Sequence, residues 1–271
     1  MPELPEVETT RRGIAPLLEG RLLTWAILRE QRLRHAVPEN LAERVAGARI
    51  LSVGRRAKYL LIRHDRGGLL LHLGMSGTVR VLPVGYPAAK HDHVDLLLEG
   101  GELLRYNDPR RFGLILPTNS DPDDHPLLRD LGPEPFDPVL TGEALHQMAR
   151  KRKSPLKVFL MDQKILVGVG NIYASEALFR ARLDPRRLAC EVSRPAWMRL
   201  LTAVREVLDE AITAGGTTLK DFRDPDGKPG YFGLHLQVYG RADEPCLSCK
   251  RPLHQLRLGG RATYYCSHCQ R

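Results

Sequence analysis

Four of the five cysteines lie near the C-terminus as Cys246-x2-Cys249-x16-Cys266-x2-Cys269. Each C-x2-C turn presents two thiolates to one tetrahedral ion, so the spacing reads as a zinc site and not as a disulfide framework. The end of the chain must then fold as a small module around one metal ion. His268 lies between the last two cysteines and is a competing ligand by residue type; the symmetric spacing favours the cysteines. Cys190 is left over and reads as a packed or idle thiol.

The 271 residues allow one large or two modest domains, at roughly 100–200 residues each. Val7, Thr10, Ile14 and Leu17 recur at helical spacing and predict a helix over 5–18, stopped by Gly20. Strand-like runs follow at 22–29, 49–53, 59–63, 68–73, 79–82, 94–98, 103–106 and 113–116, several of them separated by glycine turns. Their spacing predicts an antiparallel β-sandwich. Between 120 and 137, prolines cluster with acidic residues, which reads as a linker or hinge. Helices follow: Ser154-Pro155 fits an N-cap with proline in the first helical position, and further helices are expected over 172–183 and 195–213. The expected fold class is α+β in two domains: an N-terminal helix with an antiparallel β-sandwich (2–130), a hinge (131–141), and a helical domain (142–235) that carries a C-terminal zinc finger (236–271).

Composition bears on partners. Lys and Arg total 41 against 32 acidic residues, a net charge of +9, and 32 of the cations are arginine. Such a surface favours a polyanion, and arginine grips phosphate bidentately. No apolar run approaches the ~20 residues of a membrane span. The acidic start MPELPEVETT lacks a secretory signal, so the expected compartment is the cytoplasm, with no membrane association.

Candidate chemistry begins at Pro2. Removal of Met1 before this small residue would expose a secondary amine, which can attack a carbon at the aldehyde oxidation level and form an iminium. Glu3 and Glu6 are either dipole partners of the helix start or groups that move protons for that amine. Gly168 and Gly170 before Asn171 offer backbone N–H groups to phosphate, or form a tight interhelical turn. The basic run at 150–153 and Lys157 stand upstream of that turn. The turn Asn107-Asp108-Pro109-Arg110-Arg111-Phe112-Gly113 pairs a cation with an aromatic, as a duplex wedge would, although Phe112 and Met75 also suit a core. Arg261 sits between the cysteine pairs, flanked by Gly260 and Ala262, within reach of phosphates.

Together these stretches resemble the bacterial formamidopyrimidine-DNA glycosylases. The resemblance rests on MPELPEVETTRRGI at the start, RRAKYLL (55–61), HLGMSG (72–77), KHDHVDL (90–96) and NDPRRFG (107–113). It continues through LGPEP (131–135), DQKILVGVGNIYASEALF (162–179), PDGKPGYF (225–232) and the closing GRATYYCSHCQR. It implies a bifunctional base-excision repair enzyme acting on oxidised purines in double-stranded DNA, such as 8-oxoguanine and formamidopyrimidines. Pro2 would attack C1′, Glu3 would handle protons with Glu6 as a supporting carboxylate, and Lys58 would serve near the lesion phosphates and in catalysis. Strand cleavage by β,δ-elimination would follow. Met75, Arg110 and Phe112 would fill the hole left by the flipped nucleotide. His72, His91, Lys157, Asn171 and Arg261 would contact DNA, 162–179 would form a helix–two-turn–helix, and 217–232 would cover the flipped base. One structural zinc ion on Cys246, Cys249, Cys266 and Cys269, and a monomeric state, are also implied. Two other readings are an endonuclease VIII-like enzyme for oxidised pyrimidines and a non-catalytic zinc-dependent DNA-binding protein. The latter leaves the Pro2–Glu3 pair unexplained.

Overall fold

The computed structural model describes residues 2–217 and 232–271. The chain forms two compact units. The first takes in Met1–Arg129 and Ala214–Tyr231, the second Asp130–Thr213 and Phe232–Arg271.

In the first unit, α1 (Leu4–Leu18) opens with Glu3 as N-cap, and Glu6 closes a capping box by accepting the Glu3 N–H at 2.7 Å. Pro5 is tolerated because the first-turn N–H groups have no intrahelical acceptor. Leu4, Val7, Ile14 and Leu18 face inward, and Gly20 leaves the helix at φ +82°. The strands are β1 (Leu22–Leu28), β2 (Ala48–Arg56), β3 (Tyr59–His64), β4 (Gly67–His72), β5 (Thr78–Pro83), β6 (Asp92–Leu98), β7 (Glu102–Asn107) and β8 (Leu114–Thr118), with the short α2 (Leu41–Val45) before β2. All neighbours are antiparallel, in the order β5-β7-β6-β1-β2-β3-β4-β8. The centre of that order is thin, since β1 and β2 pair only at Leu22–Arg49 and Leu23–Ala48. Two four-stranded halves therefore fold over one core. Leu23, Ala26, Leu96 and Leu104 from one half share it with Ile50, Leu60, Leu71 and Ile115 from the other, and with Val7, Ile14 and Leu18 of α1. The strands sit where the apolar runs between turn signals predict them, within a few residues at each end.

After α3 (Pro126–Arg129), the second unit contains α4 (Gly142–Ala149), α5 (Leu156–Leu160), α6 (Asn171–Arg180) and the long α7 (Arg194–Thr213). Trp197 of α7 meets Phe159 of α5 edge to face, with centroids 5.3 Å apart. The proline-rich stretch is anchored: the Arg205 guanidinium on α7 donates to the carbonyls of Pro135, Asp137 and Leu140. Pro155 is itself the N-cap of α5, one residue later than expected, because its extended backbone bridges to Leu188.

The cysteine module is not a separate body. Val238, Cys246, Leu253 and Cys266 share a small core with Phe179 of α6. Glu176 of α6 is 4% exposed and accepts the N–H groups of Gln237, Val238 and Tyr239 at 2.8–3.0 Å. Burial raises its carboxyl above the usual range, partly opposed by these three bonds. Glu176→Ala is expected to destabilise this unit by about 3 kcal/mol, because it strands one buried and two part-buried donors. Urea unfolding followed in the second unit measures this, and Glu176→Gln, which keeps one acceptor oxygen, should lose less. Ala214–Thr217 group with the first unit, where the Thr217 N–H donates to Glu6. The remainder of the expected covering loop lies outside the described residues.

Candidate active site and nucleic-acid interface

Pro2 and Glu3 are buried at the start of α1, Glu3 being only 2% exposed. Glu6 is held from both sides. Its Oε2 accepts the Glu3 N–H, and its Oε1 accepts the Thr217 N–H at 2.8 Å. Such a carboxylate orients its neighbours, whereas Glu3 remains the acid–base candidate beside the N-terminal residue.

A hydrogen-bonded chain joins this helix to the turn that carries Lys58. Glu8 on α1 accepts from Arg11 and Arg12 and from Arg55 on β2. Burial alone would raise the Glu8 carboxyl, but the bonds from Arg11 and Arg12 outweigh it and lower it. Arg55 also donates to the carbonyl of Ala57 at 2.8 Å. Ala57 and Lys58 form the two-residue turn between β2 and β3, with Ala57 at φ +53°, where an L-residue is strained. Lys58 is 8% exposed. The strained turn and the Glu8–Arg55 brace fix where the ammonium can lie.

His72 ends β4 opposite Tyr59, and their rings lie 4.8 Å apart. Its Nδ1 accepts the Gly74 N–H at 2.9 Å, which leaves the proton of the neutral ring on Nε2. Burial, then the charges of Lys58 and Arg34, push His72 down to about 4. His72 is thus a neutral N–H donor at physiological pH. Because the folded state disfavours the imidazolium, the stability gained from this site is complete above about 6.5 and is lost as the pH falls toward about 4.

The wedge candidates sit on two adjoining loops. Met75 lies between β4 and β5, and Arg110 and Phe112 lie between β7 and β8. Phe112 is 48% exposed, too open for a core residue, and the Arg110 guanidinium lies 5.1 Å from its ring centroid. His91 is half-buried at the foot of the same loop, where its carbonyl accepts the Asp108 N–H.

In the second unit, Asn171 opens α6 behind Gly170, and its buried Oδ1 has no hydrogen-bond partner among the described residues. The Gln163 side chain braces the preceding turn through the Gly168 N–H and the Val169 carbonyl. β9 (His254–Leu258) and β10 (Arg261–Tyr265) form a hairpin whose turn, Gly259-Gly260, has φ +54° and +74°, the left-handed pair of a tight two-residue hairpin. This turn places Arg261 at the exposed tip. Lys157, expected at phosphates, is instead fully buried, and its ammonium donates to the Ala262 carbonyl and Thr263 Oγ1, both at 3.0 Å. A buried cation needs partners, and the hairpin supplies one from its backbone and one from a side chain. Lys157 therefore fastens the strand that presents Arg261.

The four cysteine sulfurs lie within 4.8 Å of one another, with Cys249–Cys266 at 3.5 Å and Cys246–Cys269 at 4.0 Å. A tetrahedron with Zn–S of about 2.3 Å has edges near 3.8 Å, so the set fits one structural zinc ion. His268 is exposed and is not part of the cluster.

The bracing roles of Asp108, of Glu8 with Arg55, of Gln163 and of Glu176 escaped the sequence reading, because they depend on backbone groups or on partners distant in sequence.

A helix-led β-sandwich forms the first unit, and a glycine-braced helix start and a four-cysteine module with a basic hairpin tip belong to the second. The sequence model of the formamidopyrimidine-DNA glycosylase N-terminal domain matches residues 1–115, that of its H2TH domain matches 131–223, and that of the zinc finger found in FPG and IleRS matches 243–271. The formamidopyrimidine-DNA glycosylase of Acidithiobacillus ferrooxidans (strain ATCC 53993 / BNL-5-31) is 58% identical over the whole of both chains. The crystal structure of the MutM (Fpg) protein from Thermus thermophilus is 42% identical, with a TM-score of 0.88 over 99% of this chain and 98% of that one. The Lactococcus lactis Fpg complexed with DNA containing N7-benzyl-Fapy-dG is 30% identical, with a TM-score of 0.91 over all of both chains. The chain belongs to the formamidopyrimidine-DNA glycosylase family. Among its described residues, no helix is long and apolar enough to cross a membrane.

Proposed function

We propose that this chain is a base-excision repair DNA glycosylase and AP lyase that removes oxidised purines from duplex DNA through its N-terminal amine. The observation that carries the reading is the buried Pro2–Glu3–Glu6 corner, braced through Glu8 and Arg55 to Lys58. With Met1 removed, the Pro2 nitrogen attacks C1′ of the damaged nucleotide, and the glycosidic bond breaks as Glu3 delivers a proton to the departing base. The proton leaves the Pro2 nitrogen, the C1′–O4′ bond breaks as O4′ takes up a proton, and a cationic iminium remains between C1′ and Pro2. The iminium acidifies C2′; loss of that proton expels the 3′ phosphate, and loss of the C4′ proton then expels the 5′ phosphate. Met75, Arg110 and Phe112 occupy the vacated place in the duplex, with Arg110 bonding the orphaned cytosine. Lys58, His72, Asn171 and Arg261 hold phosphates, His91 contacts the DNA, and Lys157 serves through the Arg261 hairpin. The zinc ion on the four cysteines supplies structure to that hairpin.

Borohydride should trap the Met1-free protein covalently on duplex carrying 8-oxoguanine opposite cytosine, and not on undamaged duplex. Trapping only on oxidised pyrimidines would favour the endonuclease VIII-like reading. Binding without any trapping would favour a non-catalytic protein.

The phosphate contacts should separate by charge. Arg261→Ala is expected to weaken binding of all sequences and to reduce the slope of log K against log salt by about one contact. His72→Ala is expected to weaken binding with little change in slope, because a neutral donor releases no counterion. Equilibrium titrations across a salt series measure both, and equal slope changes would contradict the neutral tautomer.

A further inference from the structure

Asp108 lies in the NDPRRFG turn and is fully buried. Its Oδ1 accepts from the Ser76 hydroxyl and from the Arg110 N–H, each at 3.2 Å, and its Oδ2 accepts the Gly113 N–H at 2.8 Å. Its backbone N–H donates to the His91 carbonyl. Its carbonyl accepts the Arg111 N–H and lies 2.8 Å from His93 Nε2. One residue thus touches the loop carrying Met75, the loop carrying Arg110 and Phe112, and the entry to β6. The two loops also abut through backbone alone: Gly74, at φ +61°, has no room for a Cβ against Phe112 and Gly113. Gly113 has none against Tyr106 and the His72 carbonyl.

We propose that Asp108 is a positioning residue that binds the two loops into one body, so that Met75, Arg110 and Phe112 enter a duplex as a single preset wedge. The inference rests on reading those three residues as the wedge. The Ser76 bond links the loops side chain to side chain, and the Arg110 and Gly113 bonds set the curvature of the turn between them. A preset wedge needs no ordering at the moment of insertion, and it holds the Arg110 guanidinium at a fixed height against the orphaned base. Both carboxylate oxygens are occupied by donors. An asparagine, nearly the same in shape, would turn an NH2 toward at least one of them.

The test uses the full-length, Met1-free, zinc-loaded protein. Asp108→Asn is expected to slow single-turnover excision of 8-oxoguanine opposite cytosine by at least about tenfold and to shrink the ratio of excision opposite cytosine to that opposite adenine. Cleavage of a preformed abasic site in single-stranded DNA, which has no hole to fill, should stay within about twofold. Ser76→Ala, which cuts only the link between loops, should reduce the ratio in the same direction by a smaller factor. An unchanged ratio in Asp108→Asn overturns the proposal, as does an equal loss of single-strand cleavage, which would mark a general defect of folding. Should Asp108→Asn fail to fold, Ser76→Ala decides, and an unchanged ratio there overturns it. Arg110→Ala and Phe112→Ala separate the two levels: if neither alters duplex excision or the ratio, the wedge reading itself fails, whatever Asp108 does.

Discussion

Pro2→Gly is expected to lower single-turnover excision by at least about 10²-fold, with the borohydride-trapped species falling in parallel. The substitution keeps an amine but makes it primary, and it removes the ring that fills the buried start of α1. Glu3→Gln keeps the shape of the side chain and removes the proton that the proposed mechanism assigns to Glu3, so base removal should fall by about 10²–10⁴-fold. Quench-flow measurement of product on 8-oxoguanine duplex, beside a gel assay of the trapped complex, reads both. A Glu3→Gln protein that excises at the parental rate would remove Glu3 from proton transfer, since Glu6 has both oxygens engaged by backbone donors. A protein that keeps Met1 should be silent in the same assays, because its Pro2 nitrogen is an amide.

The second large effect is expected on removal of zinc. Among the described residues, the buried core shared by the C-terminal module and α6 consists of Phe179, Val238, Cys246, Leu253 and Cys266, and two of these five are metal ligands. So small a cluster cannot hold the module unaided, whereas structural zinc contributes apparent free energies of about 10–16 kcal/mol in finger peptides. Chelation, or Cys249→Ser, should therefore cost at least about 10²-fold in duplex affinity through loss of the hairpin that carries Arg261. It should also open the C-terminal module to protease. Metal analysis should give one ion per chain, and zinc should restore binding after chelation. Undiminished affinity in a metal-free protein would show that the hairpin needs no metal.

How much of this was legible in the sequence depended on range. The β-strands declared themselves because short apolar runs stand between turn signals, and α1 and α7 because their apolar spacing is sustained. Short helices such as α2 and α5 offer too few residues for a period to emerge, and a tertiary bridge from Pro155 to Leu188 moved the start of α5. The cysteine spacing carried its own chemistry. The burial of Lys157 was not legible, because its partners, Ala262 and Thr263, lie more than a hundred residues away. Asp108 was visible only as part of a motif. That it joins two loops follows from its contact with Ser76, which the linear chain does not display.

Ala57 carries a last consequence. A glycine there would relax the left-handed backbone and raise resistance to heat, yet it would also let the neighbouring lysine swing. Thermal robustness and aim pull this residue in opposite directions. Breeding the enzyme for hot conditions, with no assay of turnover alongside, would erode its chemistry at that corner first.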